Sequence, residues 1–156
     1  MSVPPILVSQ TDGPLEPAPI NPDWIIEGTP EARYRVLSTS TDRTATTVVW
    51  ECTAGSFKWL YHSEEVIHVL EGGVTLTDTS GTRRIGAGDV IYFPPGSEAV
   101  WVIDSYIRKL AVFRTSLPRP LSISFRLWNR VRQDGVAGLI GALRRRAPGG
   151  VVPGLP

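Results

Sequence analysis

Cysteine is almost absent from this sequence: Cys52 is the only one. One cysteine excludes an intrachain disulfide and a cysteine-based zinc cluster, and it suits a reducing compartment. Histidine is nearly as scarce, with His62 and His68 the only two. No apolar run approaches the length of a membrane-spanning helix. The first residues, MSVPPILVSQTDGP, carry no basic stretch and no long apolar run. They are therefore expected not to be a signal peptide, and the expected location is the cytoplasm.

Turn-forming residues, by contrast, are plentiful. The 156 residues include 15 glycines and 14 prolines, which favours many short elements joined by turns over a helical bundle. Apolar residues make up 42% and charged residues 20%, enough for the packed core of a single domain. The net charge of +1 hides an asymmetry. Residues 1–115 hold 9 basic and 14 acidic side chains, whereas residues 116–156 hold 7 arginines and one acid, Asp134. The final segment is thus a different kind of chain from the rest.

Three regions are expected. Residues 1–25 contain Pro4, Pro5, Pro14, Pro17, Pro19 and Pro22 and read as an extended arm, because proline disfavours both helix and central strand. Residues 26–115 alternate short apolar runs with turn signals. Nine strands are predicted: 33–38, 45–53, 57–61, 65–70, 74–78, 82–85, 90–93, 99–103 and 107–114. Strands at this spacing, without helical periodicity between them, indicate an antiparallel sandwich or barrel. Residues 116–156 switch period. Leu121, Phe125, Trp128 and Val131 share one helical face, and Val136, Leu139, Ile140 and Leu143 repeat the pattern before Arg144-Arg145-Arg146. This basic amphipathic tail must cover its apolar stripes. The acidic outside of the domain or of a partner subunit is one place for it, and an anionic membrane surface is another. Nucleic acid is not expected, because arginines without a basic fold are weak evidence for it.

Two stretches resemble the signature motifs of the cupin superfamily. Gly88-Asp89-Val90-Ile91-Tyr92-Phe93-Pro94-Pro95-Gly96 follows the start of the pattern G-x5-P-x-G-x2-H-x3-N, and Glu65 with Gly72 follows the E-x6-G end of G-x5-H-x-H-x3–4-E-x6-G. The wording from Trp50 to Trp59, Ala99 to Val102 and Arg108-Lys109 is similar to small single-domain cupins grouped with ureidoglycine aminohydrolase. The resemblance covers roughly residues 26–114. It implies an all-β fold, a cupin-type antiparallel β-barrel or double-stranded jelly roll, and a homodimer. It also implies a metal bound by three histidines and a glutamate. At the matching positions stand Trp59, Tyr61 and Ala99, with Ile103 where the family has asparagine; Glu65 alone remains. One carboxylate cannot hold a divalent transition metal, so no metal and no other cofactor are expected.

Strand alternation gives the candidate site. Glu65 and Tyr61 are the candidate catalytic pair. Trp59, Ile67, Trp101 and Ile103 should face inward with them, alongside Ala99. Lys109 and Tyr92 are further candidates for ligand binding, although parity does not decide between Arg108 and Lys109, or between Tyr92 and Phe93. His62 and His68 fall out of phase and should face outward. A carboxyl among aromatic rings is desolvated and suits acid/base chemistry near neutral pH. The expected function is therefore binding of a small molecule, with metal-independent acid/base catalysis by Glu65. A non-catalytic ligand-binding module and a metal-dependent hydrolase are the alternatives.

Overall fold

In the computed structural model, residues 3–115 are described; the expected helical tail, residues 116–156, lies outside them. The described residues are antiparallel β, apart from loops and one short 3-10 turn. In chain order the strands are β1 (Glu16–Pro17), β2 (Ile25–Glu27), β3 (Ala32–Thr39), β4 (Ala45–Leu60), β5 (Glu64–Asp78), β6 (Gly81–Gly86), β7 (Val90–Phe93) and β8 (Glu98–Arg114). They pair in the order β1-β3-β4-β8-β5-β6, with β2 added to β4 and β7 added to β5. No helix among the described residues is long and apolar enough to cross a membrane.

Six of the nine predicted strands join in pairs to make β4, β5 and β8. The turn signals between them are β-bulges within continuous strands rather than breaks. The register of β4 on β8 shifts between Thr53 and Gly55. That of β5 on β8 shifts between Val69 and Glu71, and again between Gly72 and Thr75. A bulge bends a strand and strengthens its twist. Each long strand can therefore serve two parts of the sheet. The first half of β5 pairs with β7 and the C-terminal half of β8, and its second half pairs with β6 and the N-terminal half of β8. Gly72 makes the second bulge possible. Its φ is +71°, and a Cβ there would lie 2.0 Å from the Tyr106 carbonyl oxygen.

The alternation along β5 is clean. Glu65, Ile67 and Val69 are buried, whereas Val66 and His68 are exposed. The same period runs through β8, where Trp101, Ile103, Ile107, Lys109 and Ala111 turn inward. Burying one face while solvating the other fixes the register of the pairing.

The N-terminal residues lie along β3. Ser9 Oγ donates to the Leu37 carbonyl at 2.8 Å, and Arg35 and Arg108 donate to the carbonyls of Gln10 and Thr11. After β1, Ile20 is buried in the core. Asn21 then caps the 3-10 turn Pro22–Trp24, its side chain accepting from the Asp23 amide.

Candidate functional site

The interior is organised around one ion pair. Lys109 Nζ donates to Glu65 Oε1 at 2.7 Å, and the two residues are 5% and 1% exposed. Glu65 opens β5, and Lys109 sits on the second half of β8, opposite Val69. The ammonium also lies 4.9 Å from the ring centroids of both Trp50 and Trp101. A cation over the negative face of an indole is favourable, more so when desolvated. Lys109 is thus held by one carboxylate and two aromatic faces. Arg108 turns the other way, toward Glu51 and the Thr11 carbonyl.

Tyr61 completes the cluster from the turn after β4. Its amide donates to the Ser97 carbonyl at 3.0 Å, and its carbonyl accepts from the Gly96 amide at 2.7 Å. Its ring stacks on Phe93 with centroids 4.1 Å apart, and its hydroxyl accepts from Trp101 Nε1 at 3.0 Å. Burial, followed by the charge of Glu65, pushes the Tyr61 phenol well above its usual range. Tyr61 therefore keeps its proton and is no base.

The aromatic side chains pack on one another. Phe57 stacks on Trp101 at 5.9 Å, and Trp59 meets Trp24, Trp50 and Phe57 edge-on. Ile67 and Ile103 are buried beside them. Glu65, Tyr61, Trp101, Ile67, Ile103 and Lys109 therefore belong to a filled interior. A cavity of about 480 Å³ opens next to it, floored by Leu76, Ile91, Phe93 and Ala99. Of the candidate residues, Tyr92 and Ala99 line this cavity. Tyr92 is 56% exposed, and Phe93 takes the inward place beside it. Sequence reasoning left Tyr92 and Phe93 undecided and named Tyr92 as the candidate. The register of Phe93 is the missing signal, because this residue lies directly opposite Glu65 in the β5–β7 ladder.

Cys52 is fully buried on the same strand as Trp50. Burial pushes its thiol up to about 12, with the charge of Lys109 pulling the other way. Tyr106, hydrogen-bonded to Glu51 Oε2 at 2.8 Å, is also pushed up to about 12, by burial and then by Glu51. Cys52 is thus a core thiol and no nucleophile. In the native protein it should stay unreactive toward a thiol-exchange reagent at pH 8 and react on unfolding. The folded protein holds protons on Cys52 and Tyr106 that the unfolded chain has already released, so stability should fall as pH rises from about 9 toward 12. Urea midpoints across that range check the sign. A native thiol that reacts as fast as free cysteine would place Cys52 outside the core.

Residues 39–111 match the EutQ-like cupin domain family. Over these residues the domain is similar to a small cupin. Three solved structures share its fold. A DUF861-family protein of unknown function from Pseudomonas syringae superposes with a TM-score of 0.62 at 24% identity, covering 67% of this chain and 46% of that one. This chain thus spans less than half the length of that relative. A predicted oxalate decarboxylase from Thermotoga maritima gives 0.56 at 17% identity, covering 71% of this chain and all of its own. A cupin 2 conserved barrel domain protein from Rhodopseudomonas palustris gives 0.54 at 10% identity, covering 67% and 73%. No curated protein matches the chain.

A metal site of the kind the cupin resemblance implies does not fit these residues. Three of its four ligand positions are Trp59, Tyr61 and Ala99, and the fourth, Glu65, is bonded to an ammonium. Among the described residues, no three His, Cys, Asp or Glu side chains converge to replace them. A divalent cation beside Glu65 would also face the positive charge of Lys109 at close range.

Proposed function

We propose that this cupin binds a small molecule and acts on it by metal-independent acid/base chemistry, with Glu65 and Lys109 as the working pair. The observation that carries this reading is the 2.7 Å contact between a carboxylate and an ammonium inside an aromatic shell. The ammonium supplies the fixed positive charge that the ligand set of this domain cannot bind as a metal. Charge placed in a water-poor interior acts more strongly than in solvent and needs no reorganisation when a substrate becomes anionic. Glu65 takes a proton from the substrate, Lys109 stabilises the anion that forms, and the phenol of Tyr61 donates a hydrogen bond. The similarity to the ureidoglycine aminohydrolase group suggests small nitrogen-containing substrates. The ligand positions speak against the metal-assisted hydrolysis that the same similarity implies.

A thermal-shift ligand screen tests this, run in chelator-treated buffer beside elemental analysis of the purified protein. Hits should persist without metal. Turnover of a hit should be lost in Glu65→Gln while its binding persists, and turnover should fall in Glu65→Asp, which keeps the charge but withdraws it by one methylene. Hits that appear only with one equivalent of manganese, zinc, iron or nickel would overturn the metal-independent reading. Hits that Glu65→Gln binds but does not turn over assign Glu65 to the chemistry, and full turnover in that variant removes it.

A further inference from the structure

The Glu65–Lys109 pair is closed off, yet a substrate must reach it, and the 480 Å³ cavity lies one side chain away. That side chain is Phe93. It lines the cavity, stands opposite Glu65 in the β5–β7 ladder, and stacks on Tyr61 at 4.1 Å and against Trp101 at 6.2 Å. We propose that this cavity is the ligand seat, that Phe93 is the partition setting how deep a ligand sits, and that the ligand is a compact, uncharged ring compound. The ligand class deepens the functional reading above and rests on it, whereas the seat itself does not.

Size, shape and charge each contribute. A volume near 480 Å³ falls within the roughly 300–1,000 Å³ of small-molecule sites. The floor of Phe93, Ile91, Leu76 and Ala99 is apolar and suits a flat ring packed on an aromatic face. The polar side chains of the lining are Asp78, Thr79, Arg83, Ser97 and Glu98, with the hydroxyl of Tyr92. Arg83 is committed to Asp78 and to Ser80 Oγ, and Glu98 is paired with Lys58 at 2.5 Å. Among the described lining residues, no cation is therefore left over for a carboxylate or a phosphate. A neutral ring gives up no ionic hydration on entry, and the Ser97 hydroxyl, which donates to the Pro94 carbonyl at 2.7 Å, can still accept from it. The wall formed by Pro94, Gly96 and Ser97 is tied to Tyr61 through two backbone hydrogen bonds. Occupancy of the cavity is thereby felt at the residue that stacks on Phe93.

The test uses two probes of similar shape, benzyl alcohol and phenylacetate, titrated into ¹⁵N-labelled full-length protein. Benzyl alcohol should shift the amides of Phe93, Gly96, Ser97 and Ala99 saturably, and phenylacetate should bind more weakly by about tenfold or more. Ala99→Leu fills the floor and should abolish the benzyl alcohol shifts. Phe93→Leu opens the partition and should admit 2-naphthalenemethanol, which the wild type should not bind. Glu65→Gln should leave benzyl alcohol binding in place, so loss of turnover there and loss of shifts in Ala99→Leu report separately on the pair and on the seat. The proposal is overturned if benzyl alcohol moves none of these four amides, if phenylacetate binds as well as benzyl alcohol, or if the shifts survive Ala99→Leu.

Discussion

Lys109→Met should lower the folding stability of this domain by about 3–5 kcal/mol, the cost typical of removing one partner of a buried ion pair. Glu65 is 1% exposed, so without Lys109 its carboxylate has no water to turn to and no ammonium at 2.7 Å. Methionine keeps most of the stem volume between Trp50 and Trp101, so a cavity is not the source of the loss. The double replacement Glu65→Leu with Lys109→Met should regain most of that stability, because replacing both charges by apolar groups removes the desolvation problem. Urea denaturation of the four members of this cycle gives the coupling between the two sites. If Lys109→Met costs less than about 1 kcal/mol, in the range of exposed pairs, the pair is solvated and the closed, charged interior is refuted. The double variant should fold and yet lack any turnover found for the wild type, which separates the proposed role of the pair in chemistry from its role in stability.

Gly72→Ala should be comparably damaging for a different reason. Alanine at φ +71° pays about 1–2 kcal/mol for the left-handed conformation alone. Its Cβ would in addition lie 2.0 Å from the Tyr106 oxygen and 2.8 Å from the Tyr106 carbonyl carbon. These are backbone atoms of a paired strand and cannot swing aside, so β5 and β8 must part at the bulge. Gly72 is opposite Ile107, two residues from Lys109, so the displacement also disturbs the ion pair. A loss above about 3 kcal/mol is expected, placing the variant among the severe substitutions. Gly88→Ala is the control. Gly88 has φ +94° with nothing within 4 Å of an added Cβ, so only the conformational cost of about 1–2 kcal/mol applies. Equal urea midpoints for the two variants would mean that the close approach of Gly72 to β8 is not what demands glycine there.

The sequence by itself determined the class of fold and most of the inward faces. Short apolar runs, frequent turns and the Gly88–Gly96 stretch were sufficient for an antiparallel β domain, because the two-residue period of a strand is a local property. Alternation counted from Glu65 placed Ile67 inward and His68 outward without any knowledge of partners, and the structure agrees. Tertiary structure decided what lies across a bulge or between distant segments. The bulge at Gly72 shifts the inward phase of β5 from Glu65, Ile67 and Val69 to Val74 and Leu76, whereas along β8 the phase is kept, so that counting in twos from Trp101 already gives Lys109 rather than Arg108. Tyr92 against Phe93 was open because β7 is only four residues long and either phase is apolar. The contact of Lys109 with Glu65 joins residues 44 apart, and the cavity assembles from segments near residues 76–83 and 91–99. Neither leaves a mark on local sequence, because a site built by long-range pairing exists only once the strands that carry its parts are side by side.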